Sequence, residues 1–125
     1  MKTSNKKTVY LLFLLVVLSS CSEDDDEITN SCGISNPLVE LEWLKTEIDK
    51  RQKEVSQDSK YCYISQAVHK GKTVFLYEDC NPFIDKVIAV LDCEGNSLGF
   101  IGSGISITAI INSSIIYRPT DFACE

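Results

Sequence analysis

The sequence predicts an α+β fold, with one N-terminal amphipathic helix packed on a four- to five-stranded antiparallel sheet of hairpins. Three observations predict it. Apolar residues recur at helical spacing over residues 37–55. The period then shortens to that of strands, with aromatic and β-branched residues enriched. Two short turn signals, Lys70-Gly71 and Glu94-Gly95-Asn96, each separate two such runs, as hairpins require.

The helix opens at "NPLVELEWLK". Asn36 suits an N-cap and Pro37 the first helical position. Leu38, Leu41, Leu44, Ile48 and Val55 form one apolar face, with Val39 and Trp43 beside it. Glu40 and Glu42 sit early, and Lys50, Arg51 and Lys53 late, which favours the helix dipole. Glu47–Arg51 and Asp49–Lys53 are spaced as i, i+4 ion pairs. Trp43 is the natural anchor between helix and sheet.

The strands follow in order. "YCYISQAVH" (61–69) and "KTVFLYED" (72–79) form the first hairpin, which "CNP" (80–82) ends. "KVIAVLD" (86–92) is a continuous apolar run, expected to be central, and turns into "SLGFIG" (97–102). "ISITAIINSS" (105–114) reads equally as helix or strand. "IIYRP" (115–119) is a last strand stopped by Pro119.

The first 30 residues read differently. Lys2, Lys6 and Lys7 precede "VYLLFLLVVL" (9–18), an apolar run of ten. That is about half of the ~20 residues needed to span hydrocarbon, and it fits a secretory signal. Leu18-Ser19-Ser20-Cys21 then resembles a bacterial lipobox. The resemblance implies a lipid on the Cys21 thiol, cleavage before it, and further acylation of the new amino group, enough chains for stable anchoring. The competing reading is an ordinary secreted protein with Cys21 in a disulfide. Glu23, Asp24, Asp25, Asp26 and Glu27 follow at once. They suit a solvated, self-repelling spacer. They also resemble the acidic export tag of Bacteroidetes surface lipoproteins. The expected organisation is a lipoprotein signal peptide (1–20), an acidic tether (21–30) and one globular domain (31–125).

With 125 residues the chain holds one domain. A hydrophobic content of 44% excludes general disorder. All 18 acids lie after Cys21, so a chain cut there carries 18 acids and nine bases. That balance argues against a nucleic-acid partner, whose phosphates are held by Lys and Arg.

Chemistry is sparse. His69 is the single histidine and sits at a hairpin end beside Lys70 and Lys72, a poor place for an oriented catalytic base. One histidine makes no His-based metal pair. From Cys32 onward the cysteines stand 30, 18, 13 and 31 residues apart, so no C-x-x-C zinc motif exists. Asp92-x-Glu94-Gly95-Asn96 lacks the alternation and late Glu of a calcium loop and fits a hairpin turn better. Gly102-x-Gly104 lacks the Lys-Ser/Thr of a phosphate loop. No metal or diffusible cofactor is expected.

Six cysteines in a short chain suggest an oxidising compartment. If Cys21 carries lipid, Cys32, Cys62, Cys80, Cys93 and Cys124 remain, which gives at most two disulfides and one thiol over. Counting from the Lys70-Gly71 turn sets Cys62 opposite Asp79 and Tyr61 opposite Cys80. Cys62 and Cys80 are then neighbours, although on opposite faces. Cys32 and Cys124 lie near the domain's two ends and are spaced to staple them. Cys93, with no histidine near, reads as a buried, inert thiol.

"NPLVELEWLK" (36–45), "HKGKTVFLY" (69–77) and "LDCEGNSLGFIG" (91–102) resemble a group of small Bacteroidetes lipoproteins of unknown function. The likeness covers most of residues 36–102 and departs at the longer C-terminal end. It implies a fold and a compartment, the outer membrane and cell surface, and supplies no activity. A second resemblance is to cystatin-like inhibitors of cysteine proteases, which carry Gln-x-Val-x-Gly on their first hairpin. Gln66, Val68 and Gly71 stand comparably here, with the glycine one residue late and no tryptophan on the second hairpin. The sequence therefore points to a non-enzymatic, lipid-anchored envelope protein with a binding or structural role. A hairpin protease inhibitor is the alternative. The faces expected to bind are the sheet side away from the helix and the hairpin tips.

Overall fold

Asn36 caps the helix as its sequence suggests: its Oδ1 accepts from the Leu38 amide at 3.1 Å. In the computed structural model, which describes residues 31–125, a 3-10 turn at Ser31–Gly33 comes first. Helix α1 (Pro37–Glu40) and helix α2 (Glu42–Lys53) follow. The expected single N-terminal helix is thus neither first among the described elements nor continuous. It breaks at Leu41, whose extended backbone (ψ 104°) ends α1 and caps α2. The apolar spacing runs through this break, so nothing in the pattern marks it. Leu38, Leu41, Leu44 and Ile48 all face the sheet, but Val55 lies beyond the helix end and is exposed. The Glu47–Arg51 ion pair forms at 2.8 Å.

Six strands follow: β1 (Cys62–His69), β2 (Lys72–Asp79), β3 (Ile88–Leu91), β4 (Ser97–Ile101), β5 (Gly104–Ile105) and β6 (Ile110–Tyr117). The first hairpin matches its expected limits closely. Lys70 and Gly71 both take positive φ (51° and 75°), the signature of a type I′ turn, whose twist suits the flanking strands. The ambiguous 105–114 stretch resolves into the end of β5, a 3-10 turn at Ile107–Ala109 and the first half of β6.

The sheet order is β5-β4-β3-β2-β1-β6. It is six-stranded and mixed, not four- or five-stranded and antiparallel, because β5 runs parallel to β4. Its two edges are β5 and β6, and only Ser106–Ala109 joins them. A flat sheet of six strands is about 24 Å across. Five residue steps reach about 17 Å even when extended. The sheet must therefore curl until its edges approach each other.

The core shows this curl directly. One cluster joins Ala67, Val74, Leu76, Val90 and Ile105, with Ile88, Ile101 and Ile110 packed against it. All six strands contribute to this inner face. The sheet side away from the helix, expected to be a free binding face, is thus the closed interior. The second cluster lies on the outer face, where Leu44, Ile64 and Phe75 meet Trp43, Leu38, Leu41, Ile48 and Tyr77. Central strands with both faces covered explain why Val74, Phe75 and Leu76 are buried in succession.

Trp43 fixes the helix to this outer face. Its ring meets Phe75 edge-on at 5.4 Å, and its Nε1 donates to the Cys93 carbonyl at 2.8 Å. The ring also lies on Gly95, where a Cβ would stand 2.7 Å from Cδ2. Gly95 has φ +82°, so a side chain there is excluded by both backbone and space. Replacing Gly95 by Ala is expected to cost about 2–4 kcal/mol. In a Trp43→Leu background that cost falls by at least about 1 kcal/mol, as urea melts of the four-member cycle would measure. Equal costs in both backgrounds would disprove the contact's role.

Candidate functional site

The cysteines organise the surface. Cys32 bonds Cys93, and Cys80 bonds Cys124, with Cα–Cα separations of 5.6 and 5.9 Å. Cys62 is the free thiol among the described residues. Two disulfides and one spare thiol match the count, but neither expected pairing occurs, and Cys93 is bonded rather than an inert thiol. The reasons are geometric. Cys62 does lie opposite Asp79 in the ladder. Alternation then turns it to the helix face, away from its neighbour Cys80. Cys80 instead meets the C-terminal tail, which returns along the start of β1: the Ala123 amide donates to the Lys60 carbonyl and Phe122 meets Tyr63 edge-on. Cys32 reaches Cys93 because Trp43 has drawn the β3–β4 turn against the helix.

Two clefts flank the curled sheet. The first, about 560 Å³, lies between the end of α2 and the segment after β6, lined by Arg51, Val55, Asp58, Cys62, Tyr117 and Arg118 among others. The half-buried Cys62 thiol donates weakly to the Asp58 carbonyl (3.6 Å) and to Asp79 Oδ2 (3.7 Å). Burial pushes its pKa up, the Asp79 charge pushes the same way, and Arg51 opposes them. A nucleophilic cysteine needs the opposite shift. Arg51 itself is occupied, paired with Glu47 and set 4.7 Å over the Tyr77 ring.

The second cleft, about 810 Å³, opens where the first hairpin meets the β3–β4 turn. His69, Lys70, Lys72, Glu94, Leu98 and Ser106 are among its lining. His69 Nδ1 lies 3.3 Å from the Ala109 carbonyl, so the imidazole ties β1 to the segment that closes the sheet. Asp92 Oδ1 accepts from the amides of Glu94 and Asn96, which makes this stretch a hairpin turn and uses the oxygen a cation would need. No group of three or more metal-ligating side chains occurs among the described residues.

The structure separates Gln66, Val68 and Gly71. Gln66 and Val68 sit within β1, paired to β2 on one side and β6 on the other, while Gly71 is at the turn. They share no projecting loop. Residues 18–27, which hold Leu18, Ser19, Ser20, Cys21 and the acidic run, lie outside the described residues. No helix among the described residues is long and apolar enough to cross a membrane.

The residue sequence reasoning missed is Asn81. It is 3% exposed and organises the loop after β2 through both ends of its amide. The signal was present in Asn-Pro, a turn-initiating pair. Compared with known family models, curated proteins and solved structures, the chain matches none.

Reduction is expected to destabilise the domain severely. The two loops enclose 61 and 44 residues of separation, about 4 kcal/mol each in the chain-entropy description. Guanidinium melts with and without dithiothreitol, alongside peptide mapping, measure this. A disulfide joining Cys62 to Cys32, Cys80, Cys93 or Cys124 in the native protein would contradict the pairing.

Alkali is the second expected stress. Tyr63 is pushed up to about 12 by burial and by donating to the Glu78 carboxylate at 2.8 Å, and Tyr77 to about 12 by burial and the Glu47 charge. Cys62 shifts the same way. Groups with raised pKa stabilise the fold below their unfolded values, and that stability is lost as pH rises through the folded ones. The tyrosine contribution should therefore hold up to the ordinary value of 10.0 and fall toward 12, while that of Cys62 begins to be lost above its ordinary 9.0. Tyr63→Phe with Tyr77→Phe should flatten this fall in a pH series of thermal melts.

Proposed function

We propose that this protein is a cell-envelope lipoprotein, anchored through a lipid on Cys21, whose α+β domain binds a partner without catalysing a reaction. The carrying observation is the cysteine pairing. Cys32, Cys93, Cys80 and Cys124 pair among themselves, so the domain's two long-range disulfides close without drawing on Cys21. That supports reading Leu18-Ser19-Ser20-Cys21 as a lipobox rather than as the approach to a disulfide cysteine. Two long-range disulfides also suit an oxidising compartment outside the cytoplasm.

The non-catalytic part of the reading draws on the chemistry of the two clefts. Cys62 is held as a neutral thiol, and His69 is committed to a backbone contact. The net negative charge favours neither nucleic acid nor an anionic membrane surface as a direct partner. Outer-membrane placement with surface display follows from the acidic run at Glu23–Glu27, taken as an export tag.

Labelled palmitate should enter the wild-type chain and not Cys21→Ala; equal labelling would overturn the anchor. Protease added to intact cells should remove the domain. Replacing Glu23–Glu27 by serines should protect it, and continued cleavage of that variant would remove the sorting role.

A further inference from the structure

The inner face of the curled sheet finishes differently at its two ends. Alternation puts Tyr63 and Glu78 on the same side as Ala67 and Val74, toward the end that holds Cys80. There the C-terminal tail packs on the face. Phe122 meets the Tyr63 ring edge-on at 5.5 Å, and the Cys80–Cys124 disulfide ties the tail down. His69 and Lys72, the last ladder pair of the first hairpin, lie on the same side at the other end. Here the face opens into the cleft of about 810 Å³. Val74 and Ile105, members of the inner cluster, line it, so the cleft reaches the apolar interior. The open mouth of a curled or closed sheet is a recurrent place for small-molecule sites.

Charge is divided across this cleft. One wall is the first hairpin, with Lys70 and Lys72, and the other is the β3–β4 turn, with Asp92 and Glu94. Asp92 is committed to its own turn, where Oδ1 accepts from the Glu94 and Asn96 amides at 3.0 and 2.8 Å. Glu47–Arg51 is the one ion pair among the described residues. Lys70, Lys72 and Glu94 therefore line the same cleft without pairing across it. An anion would gain the lysines but meet Glu94, and a cation would gain Glu94 but meet the lysines. A molecule with one charge of each sign, set apart, satisfies both walls. Its body must be apolar, because Leu98 and Ile105 supply the apolar surface of the cleft. The volume lies high in the range of roughly 300–1,000 Å³ for small-molecule sites, more than a single amino acid fills.

We propose that this cleft binds a short peptide with free termini and apolar side chains. Its carboxylate meets Lys70 and Lys72, its ammonium meets Glu94, and an apolar side chain covers Leu98 and Ile105. Two residues set the termini about 7 Å apart, enough to bridge walls that do not pair directly. The proposal gives the binding role a ligand and rests on the non-catalytic part of that reading: the peptide is held and not cut.

The test titrates the full chain, purified in mild detergent, with the dipeptide Leu-Leu by calorimetry. One saturable site is expected. N-acetyl-Leu-Leu and Leu-Leu amide should each bind at least about fivefold more weakly. Glu94→Gln should bind Leu-Leu no better than the acetylated form, and Lys70→Gln with Lys72→Gln no better than the amide. Leu98→Ser should weaken all three ligands alike. Thermal melts should show every variant folded, and the capped ligands test the wild-type chain without any variant. Absence of saturable binding at millimolar peptide would overturn the proposal. So would equal affinity for the free and capped forms. Leucine binding as tightly as Leu-Leu would make this an amino-acid site and also overturn it. Mass spectrometry of the peptide after titration separates the two readings: intact Leu-Leu agrees with both, while released leucine would overturn the non-catalytic reading and leave the site standing.

Discussion

The seat of Trp43 on the β3–β4 turn is the contact on which the rest of the structure depends. The helix has one tryptophan, and its ring meets Phe75 on β2 and the turn of the β3–β4 hairpin. Gly95 leaves room for the ring, and the Cys93 carbonyl takes its N–H, so its one polar atom is satisfied. The same turn then receives Cys32. A ring contact, a hydrogen bond and a covalent bond converge on five residues. The chain ahead of the helix and the second hairpin are thereby fixed relative to one another.

Curling solves a different problem. A sheet of six short strands has two exposed edges, and each is a template for unwanted pairing. Here β5 is two residues long, and β6 carries register shifts opposite both ends of the Ile64–Val68 stretch, one of them at Asn112 with φ 53°. A long edge strand written Ile-Ile-Asn-Ser-Ser-Ile-Ile-Tyr would otherwise pair readily. Its bulges break the straight row of free amides and bend the strand toward the closing segment. The interior can then be built from isoleucine, valine, leucine and alanine side chains.

Legibility in the sequence followed the range of the interactions. The first hairpin and its register were readable because two local signals agree, strand alternation and a Lys-Gly turn. Trp43 was readable as an anchor because one large aromatic sits beside an apolar stripe. The break at Leu41 was not, since the apolar period passes through it unchanged. Closure by Ser106–Ala109 and the pairing of four cysteines depend on contacts between segments far apart, which no local pattern encodes. Asn81 was read as part of a strand stop, when its amide in fact builds the most exposed apolar feature of the described chain. The candidate clefts were less legible than the fold, because each is lined by segments far apart in the chain.

The two disulfides divide the domain between two poles, and this division gives the free thiol its meaning. Cys32–Cys93 secures the end where the N-terminal segment departs, and Cys80–Cys124 secures the end that carries Phe83. Cys62 lies one residue from Tyr61, whose carbonyl takes the Cys80 amide and faces the Cys124 sulfur. A reactive thiol there would threaten the nearby bond by exchange, which requires a thiolate and access to a disulfide sulfur. Strand alternation denies the access by placing Cys62 on the other face of the sheet. Burial and the Asp79 carboxylate disfavour the thiolate. An unpaired cysteine can thus sit beside the Cys80–Cys124 bond without scrambling it, because Asp79, which disfavours its thiolate, also takes the Asn81 amide at the base of the β2–β3 loop.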